Sequence, residues 1–106
     1  MNTWEPTREQ LNMPNILEAL SNPLRLEVAV RLARSTEALS CGEVMPGVSK
    51  STASHHLRIL RESGVVSHRR EGRYVRPVLR REDLNARFPG LLDAILANSG
   101  DVPPAS

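Results

Sequence analysis

A chain of 106 residues is the size of one domain, enough for a small core and too little for a domain plus a roomy catalytic cleft. Only Trp4, Tyr74 and Phe88 are aromatic, so the core must be built from Leu, Val, Ile and Ala, and a core that thin predicts apolar surface completed by a second chain. The net charge of +2 is unevenly placed: residues 1–49 carry −2, residues 50–81 carry +7 and residues 82–106 carry −3, the pattern of a nucleic-acid face on an otherwise ordinary soluble domain.

Other classes find little support. There is no Gly-rich phosphate loop, no metal triad and no nucleophile with an evident base, so the expectation is a protein that is not an enzyme and needs no cofactor. Without a signal pattern or an apolar run of membrane-spanning length, a cytoplasmic location and no membrane partner are expected. The single cysteine, Cys41, excludes an internal disulfide.

Residues 1–8 are polar, contain Pro6 and read as a flexible N-terminus. A first helix is expected from Pro14 to Leu20, with Ile16, Leu17 and Leu20 as its apolar edge. Asn22 then serves as N-cap and Pro23 as first residue of a second helix running to about Arg34. Apolar side chains wrap much of that helix, making it the central buried one, with Glu27, Arg31 and Arg34 left as a polar ridge.

Cys41 to Met45 is a short helical turn ended by Pro46-Gly47, and the chain passes directly into a helix capped by Ser49 and closed by Gly64. Short helix, tight turn, second helix is the helix-turn-helix motif, whose second member enters the DNA major groove. On that second helix Ala53, Leu57 and Leu60 share one face, while Ser51, Ser54, His55 and Arg58 share the other. Lys50, Ser51 and Ser54 are not the Glu and Lys pairs of a merely solvated face, and hydroxyls and cations can bond to base edges and phosphates.

Val65–Arg70 and Tyr74–Leu79 are β-rich runs around Glu71-Gly-Arg73, a hairpin that must lean on the helices, with Pro77 at an edge position. Its tip carries Arg69, Arg70 and Arg73, with Arg76 behind. These can reach phosphates, or can simply blunt an exposed strand against aggregation. A turn around Glu82–Arg87, a break at Pro89-Gly90 and a last helix Leu91–Ala97 follow. Leu91, Leu92, Ile95 and Leu96 on it lack a cover within the chain and are expected to pair with their copies, helped by Ile16, Leu17 and Leu20. Residues 99–106 read as a disordered tail.

The fold expected is therefore mainly α with a small β-hairpin: a winged helix-turn-helix over residues 9–98, dimeric through terminal helices. Ser49-Lys-Ser-Thr-Ala-Ser-His-His-Leu-Arg-Ile-Leu-Arg-Glu-Ser-Gly-Val-Val66, with Arg70-Glu-Gly-Arg-Tyr74, resembles the recognition helix and wing of the ArsR family of transcriptional regulators. Leu20-Ser-Asn-Pro-Leu-Arg-Leu26 is similar to the opening of that family's second helix. The resemblance implies a homodimer that represses its own operon and lets go when an effector binds, at a pseudo-palindromic double-stranded operator. It departs from the metal-sensing members. Ser40-Cys-Gly-Glu-Val44 has one cysteine where they have a Cys-x-Cys pair, and Glu82–Asn98 has no histidine.

His55 and His56 are adjacent and point roughly 100° apart, so they cannot chelate from one helix face, and no metal site is expected. Lys50, Arg69, Arg70 and Arg73 are assigned to phosphates, Arg58 to bidentate base reading, and Ser51, Ser54 and His55 to positions beside it. His56 is expected to pack beside the core, and His68 to be solvated on the hairpin. Cys41 is either a small half-buried residue or, with its thiolate favoured by free N–H groups of the short helix, a redox sensor. The competing function is a protein-interaction module that grips an acidic partner with the same scaffold. The effector is not legible.

Overall fold

The computed structural model describes residues 4–99. A 3-10 turn at Arg8–Gln10 precedes α1 (Met13–Leu20), α2 (Pro23–Arg34), α3 (Cys41–Val44) and α4 (Lys50–Ser63). The antiparallel pair β1 (Val66–Glu71) and β2 (Tyr74–Leu79) comes next, then α5 (Arg81–Arg87) and α6 (Leu91–Ala97).

Cap chemistry explains most of these boundaries. Asn12 Oδ1 accepts from the Asn15 N–H at 3.0 Å, so Pro14 sits in the first turn of α1, where its missing N–H costs nothing, and the helix begins at Met13. Asn22 Oδ1 accepts from Leu24 and Arg25 at 2.9 and 3.2 Å to open α2. Ser40 and Glu43 form a reciprocal capping box around α3. Ser49 Oγ accepts from the Thr52 N–H to open α4. Gly64 closes α4 at φ +91°, and a Cβ there would meet Leu11 Cδ2 at 2.0 Å, so conformation and packing both demand glycine.

Val28 and Ala29 of α2 form one core cluster with Ile16, Ala19 and Leu20 of α1, Leu57 and Leu60 of α4, and Val65 and Val66 at the foot of the hairpin; Val30 is buried as well. The hairpin pairs Val66 with Leu79 through Glu71 with Tyr74, closed by a two-residue turn whose first member, Gly72, has φ +61°. Pro77 stands opposite His68 and is buried, its ring packed inward where it has no N–H to donate.

Three expectations are corrected here. Arg31 is not part of a polar ridge: it is 8% exposed and holds Glu27 Oε1 at 2.7 Å, because α2 is enclosed by α1, α3, α4 and β2. Residues 4–8 are not loose. Glu5 accepts from the Ser67 hydroxyl at 2.7 Å and the His68 N–H at 2.9 Å. The Arg80 guanidinium donates to the Pro6 carbonyl, and Arg8 bonds Asp83 at 2.7 Å. This strap runs across the base of the hairpin onto α5; residues 1–3 lie outside the described residues, as do 100–106 of the expected tail.

The apolar edges of the terminal helices also divide. Ile16, Leu20 and Leu92 are buried in the chain's own core, whereas Leu17 is 47% exposed and Leu91, Ile95 and Leu96 are half-buried. On these two helices it is this second group, with the exposed Met13, that is available to another molecule.

Candidate nucleic-acid interface

Helix α4 rests on Leu57 and Leu60, with Ala53 half-buried beside them, and this anchoring turns Lys50, Ser51, Ser54, His55 and Arg58 outward, all exposed. The free N–H groups at the start of α4 lie beside Lys50 and Ser51, so the helix end and the ammonium add up to one anion-attracting patch. His56, one position on, turns back: its Nδ1 lies 3.1 Å from Arg25 Nη1, and Arg25 Nε donates to the Ala19 carbonyl at 2.7 Å. Burial first, then the Arg25 charge, holds His56 below the usual histidine pKa, so it accepts as a neutral ring and fixes α4 on α2.

On the hairpin, Arg69, Arg70 and Arg73 are all exposed. Successive strand residues face opposite sides, and the structure separates two of these side chains accordingly. Arg70 lies with His68 and Val75 over the cleft beside α4, whereas Arg69 lies with Ser67 and Val78 in the hollow next to Arg80, Arg81 and Asp83. Arg76 is not poised behind the tip, because its guanidinium is bonded to Glu71. Tyr74, 78% exposed beside Arg73, joins the tip; its signal in the sequence was an aromatic residue directly after a Gly-Arg turn.

The partners of the cations decide what this surface can do. Of fourteen Lys and Arg residues, Arg8, Arg31, Arg61, Arg76 and Arg80 bond carboxylates or carbonyls within the chain, Arg25 holds Ala19 and His56, and Arg81 and Arg87 hold backbone carbonyls. Among the described residues, the side chains of Arg34, Lys50, Arg58, Arg69, Arg70 and Arg73 have no such partner. Arg34 ends α2; the other five are the cations assigned to α4 and the hairpin tip. A guanidinium held ready without an internal counter-ion is what an external polyanion requires.

Cys41 opens α3, and its Sγ lies 3.6 Å from the Val75 carbonyl on β2. Burial pushes its thiol pKa up rather than down. Helix α3 has four residues and its first-turn N–H of Glu43 is taken by Ser40, while the backbone at Cys41 itself acts against the effect of burial without outweighing it. Burial works against a reactive thiolate at this position. His68 is half-buried rather than solvated, and burial, with Arg61 nearby, lowers its pKa. Among the described residues, no cluster of three or more His, Cys, Asp or Glu side chains is arranged to hold a metal ion. No helix among them is long and apolar enough to cross a membrane.

A short helix, a tight turn, an outward-facing second helix and a basic hairpin define a winged-helix DNA-binding regulator. A helix-turn-helix domain family matches residues 20–69, from the end of α1 into β1. The uncharacterized HTH-type transcriptional regulator YceK of Bacillus subtilis is 37% identical over 82 residues, 76% of this chain and 82% of that protein. The crystal structure of the transcriptional repressor BigR from Xylella fastidiosa is similar with a TM-score of 0.60 and 31% identity, over 79% of this chain and 82% of that one. The NMR structure of the cadmium metal-sensor CMTR from Mycobacterium tuberculosis is similar with a TM-score of 0.57 and 29% identity, over 89% and 98%. The chain belongs to the ArsR family of winged-helix transcriptional regulators, and it is a DNA-binding regulator.

Proposed function

We propose that the protein is a sequence-specific repressor that acts as a two-fold dimer in the cytoplasm and controls its own gene among its targets. The observation that carries this reading is the set of five cations on α4 and the hairpin that have no partner among the described residues, in a chain that ties up most of its other arginines. Arg58, at the centre of the exposed face of α4, pairs bidentately with a guanine, worth about 1–3 kcal/mol of discrimination; Ser51, Ser54 and His55 read or position beside it. Lys50, Arg70 and Arg73 hold phosphates, and Arg69 reaches the backbone from the other face of the hairpin.

Residues 9–98 form the functional domain in this reading. Leu17, Leu91, Ile95 and Leu96, with Met13, meet their copies across the two-fold axis, which sets the two α4 helices about 34 Å apart on half-sites about 10 base pairs apart. The description of BigR as a transcriptional repressor supports repression over activation. An effector releases the operator by favouring the state that does not fit it.

Fluorescence anisotropy on the chain's own upstream region and on a scrambled duplex tests the reading. Binding about a hundredfold tighter to the first, with two chains per site, is the expected outcome, equal to about 2.7 kcal/mol of specificity. Equal, weak binding to both would overturn it in favour of a module that grips an acidic protein.

A further inference from the structure

Beside the exposed face of α4 lies a cleft of about 970 Å³, walled by α3, by α4 from Lys50 to Arg61 and by the inner face of the hairpin. We propose that this cleft binds a small amphipathic organic anion, a carboxylate on a hydrocarbon body, and that its occupancy competes directly with DNA.

The chemistry of the cleft has two halves. Its floor is apolar: Met45, Val48, Leu57 and Val75 line it, with the half-buried Cys41 between α3 and β2. Its rim is cationic, formed by Lys50, Arg58 and Arg70. Among the described residues the one acid on its wall, Glu5, already accepts from the Ser67 hydroxyl and the His68 N–H, and none of them pairs with the rim cations. His68 also lines the cleft, and its Nε2 is buried without a partner among the described residues. A carboxylate would find the cations of the rim there.

This floor distinguishes the occupant. A phosphate diester of DNA or a hydrated inorganic anion needs the rim but gains nothing from apolar side chains, whereas a hydrocarbon body gains from each one it covers. A neutral hydrocarbon would use the floor and leave the cations idle. Only an anion with an apolar body uses both.

Competition follows from shared groups. Lys50, Arg58 and Arg70 cannot hold a carboxylate and serve a groove edge or phosphate together, so ligand and duplex exclude one another without a change of dimer angle. This part rests on the DNA-binding reading above; the site itself does not.

The test uses the full chain with decanoate below its micellar concentration and decanol as the neutral control. Cys41 is the chain's single cysteine, so its alkylation by N-ethylmaleimide reports on this cleft alone. Decanoate is expected to slow that alkylation by about tenfold or more at saturation, at concentrations where decanol does not. The midpoint should rise by about tenfold in Val75→Ser, which removes apolar floor at a partly exposed strand position, while duplex affinity stays within about threefold. The apparent affinity for the operator should fall in proportion to decanoate, with the same midpoint. Unchanged alkylation, or equal protection by decanol, would overturn the anion site. Protection of Cys41 with undiminished operator binding would overturn the competition. If no duplex binds at all, the DNA reading fails while the alkylation arm still decides the cleft.

Discussion

The arginines of the body and those of α4 and the hairpin tip are chemically identical and do opposite things. Arg80 joins Pro6 to Asp83, Arg8 meets the same carboxylate, and Arg87 holds the carbonyls of Arg8 and Glu9, so the rear arginines staple the N-terminal strap to α5. Arg58, Arg70 and Arg73 hold nothing among the described residues. A positive residue is therefore informative about function only once its partners are known, and within one basic segment the partners divide structure from recognition.

That contrast can be broken at its most buried point. Arg31 meets Glu27, while its Nε and Nη1 are buried with no partner among the described residues. Glu27→Ala leaves a buried guanidinium uncompensated and is expected to cost about 2–3 kcal/mol in urea unfolding, discounted for the part-exposed carboxylate. Arg31→Met, which removes the charge and keeps the volume, should change stability by less than about 1 kcal/mol. If both cost the same, the Arg31 pair is a net staple and not a tolerated burial. Neither should alter the preference of folded protein for operator over random duplex.

The reverse pattern is expected at Arg58. Arg58→Ala should weaken operator binding by about 1–3 kcal/mol, roughly 5- to 150-fold, leave random duplex nearly untouched and leave the urea midpoint where it was. Equal loss on both duplexes would make Arg58 a phosphate contact.

The smallest effect expected is a pH dependence at the base of the hairpin. Burial holds the folded-state pKa of His68 below its ordinary value near 6.5. The unfolded chain then binds the proton more readily, so the stability is present above about pH 6.5 and is lost as pH falls through the folded pKa. Between pH 7.5 and 5.5 the thermal midpoint should fall further in the wild type than in His68→Gln. His56, shifted the same way, keeps part of the slope in that variant. A slope unchanged by His68→Gln would place the titration elsewhere.

Much of the frame was legible because local chemistry sets it. Asn22-Pro23, Ser49 and Gly64 open or close helices through groups within four residues, and Gly72 sets a two-residue turn. The fold class followed from those stops and the apolar faces between them. The strap did not, because Glu5 meets Ser67 and His68 more than sixty residues away, and nothing in a polar N-terminal stretch announces such a partner. The same distance effect hid Arg31, whose spacing on α2 reads as surface until α2 is packed among α1, α3, α4 and β2.

At the candidate interface, the exposed face of α4 was legible from helical period alone. The separation of Arg69 from Arg70 needed the strand register, and the bond from Arg76 to Glu71 needed the hairpin. On α1, period marked Ile16, Leu17 and Leu20 as one apolar edge; only docking shows that Ile16 and Leu20 face inward while Leu17 does not.

The most direct test of the division between stapling and recognising arginines is the salt dependence of operator binding, with anisotropy measured from about 50 to 200 mM salt, where each phosphate contact contributes a slope of about −0.9. Arg70→Gln with Arg73→Gln should flatten the slope of log affinity against log salt by about two per protomer, while Arg81→Gln with Arg87→Gln, which removes two partnered arginines of the rear, should leave it unchanged. Equal flattening by both pairs, or none by the first, would contradict the account.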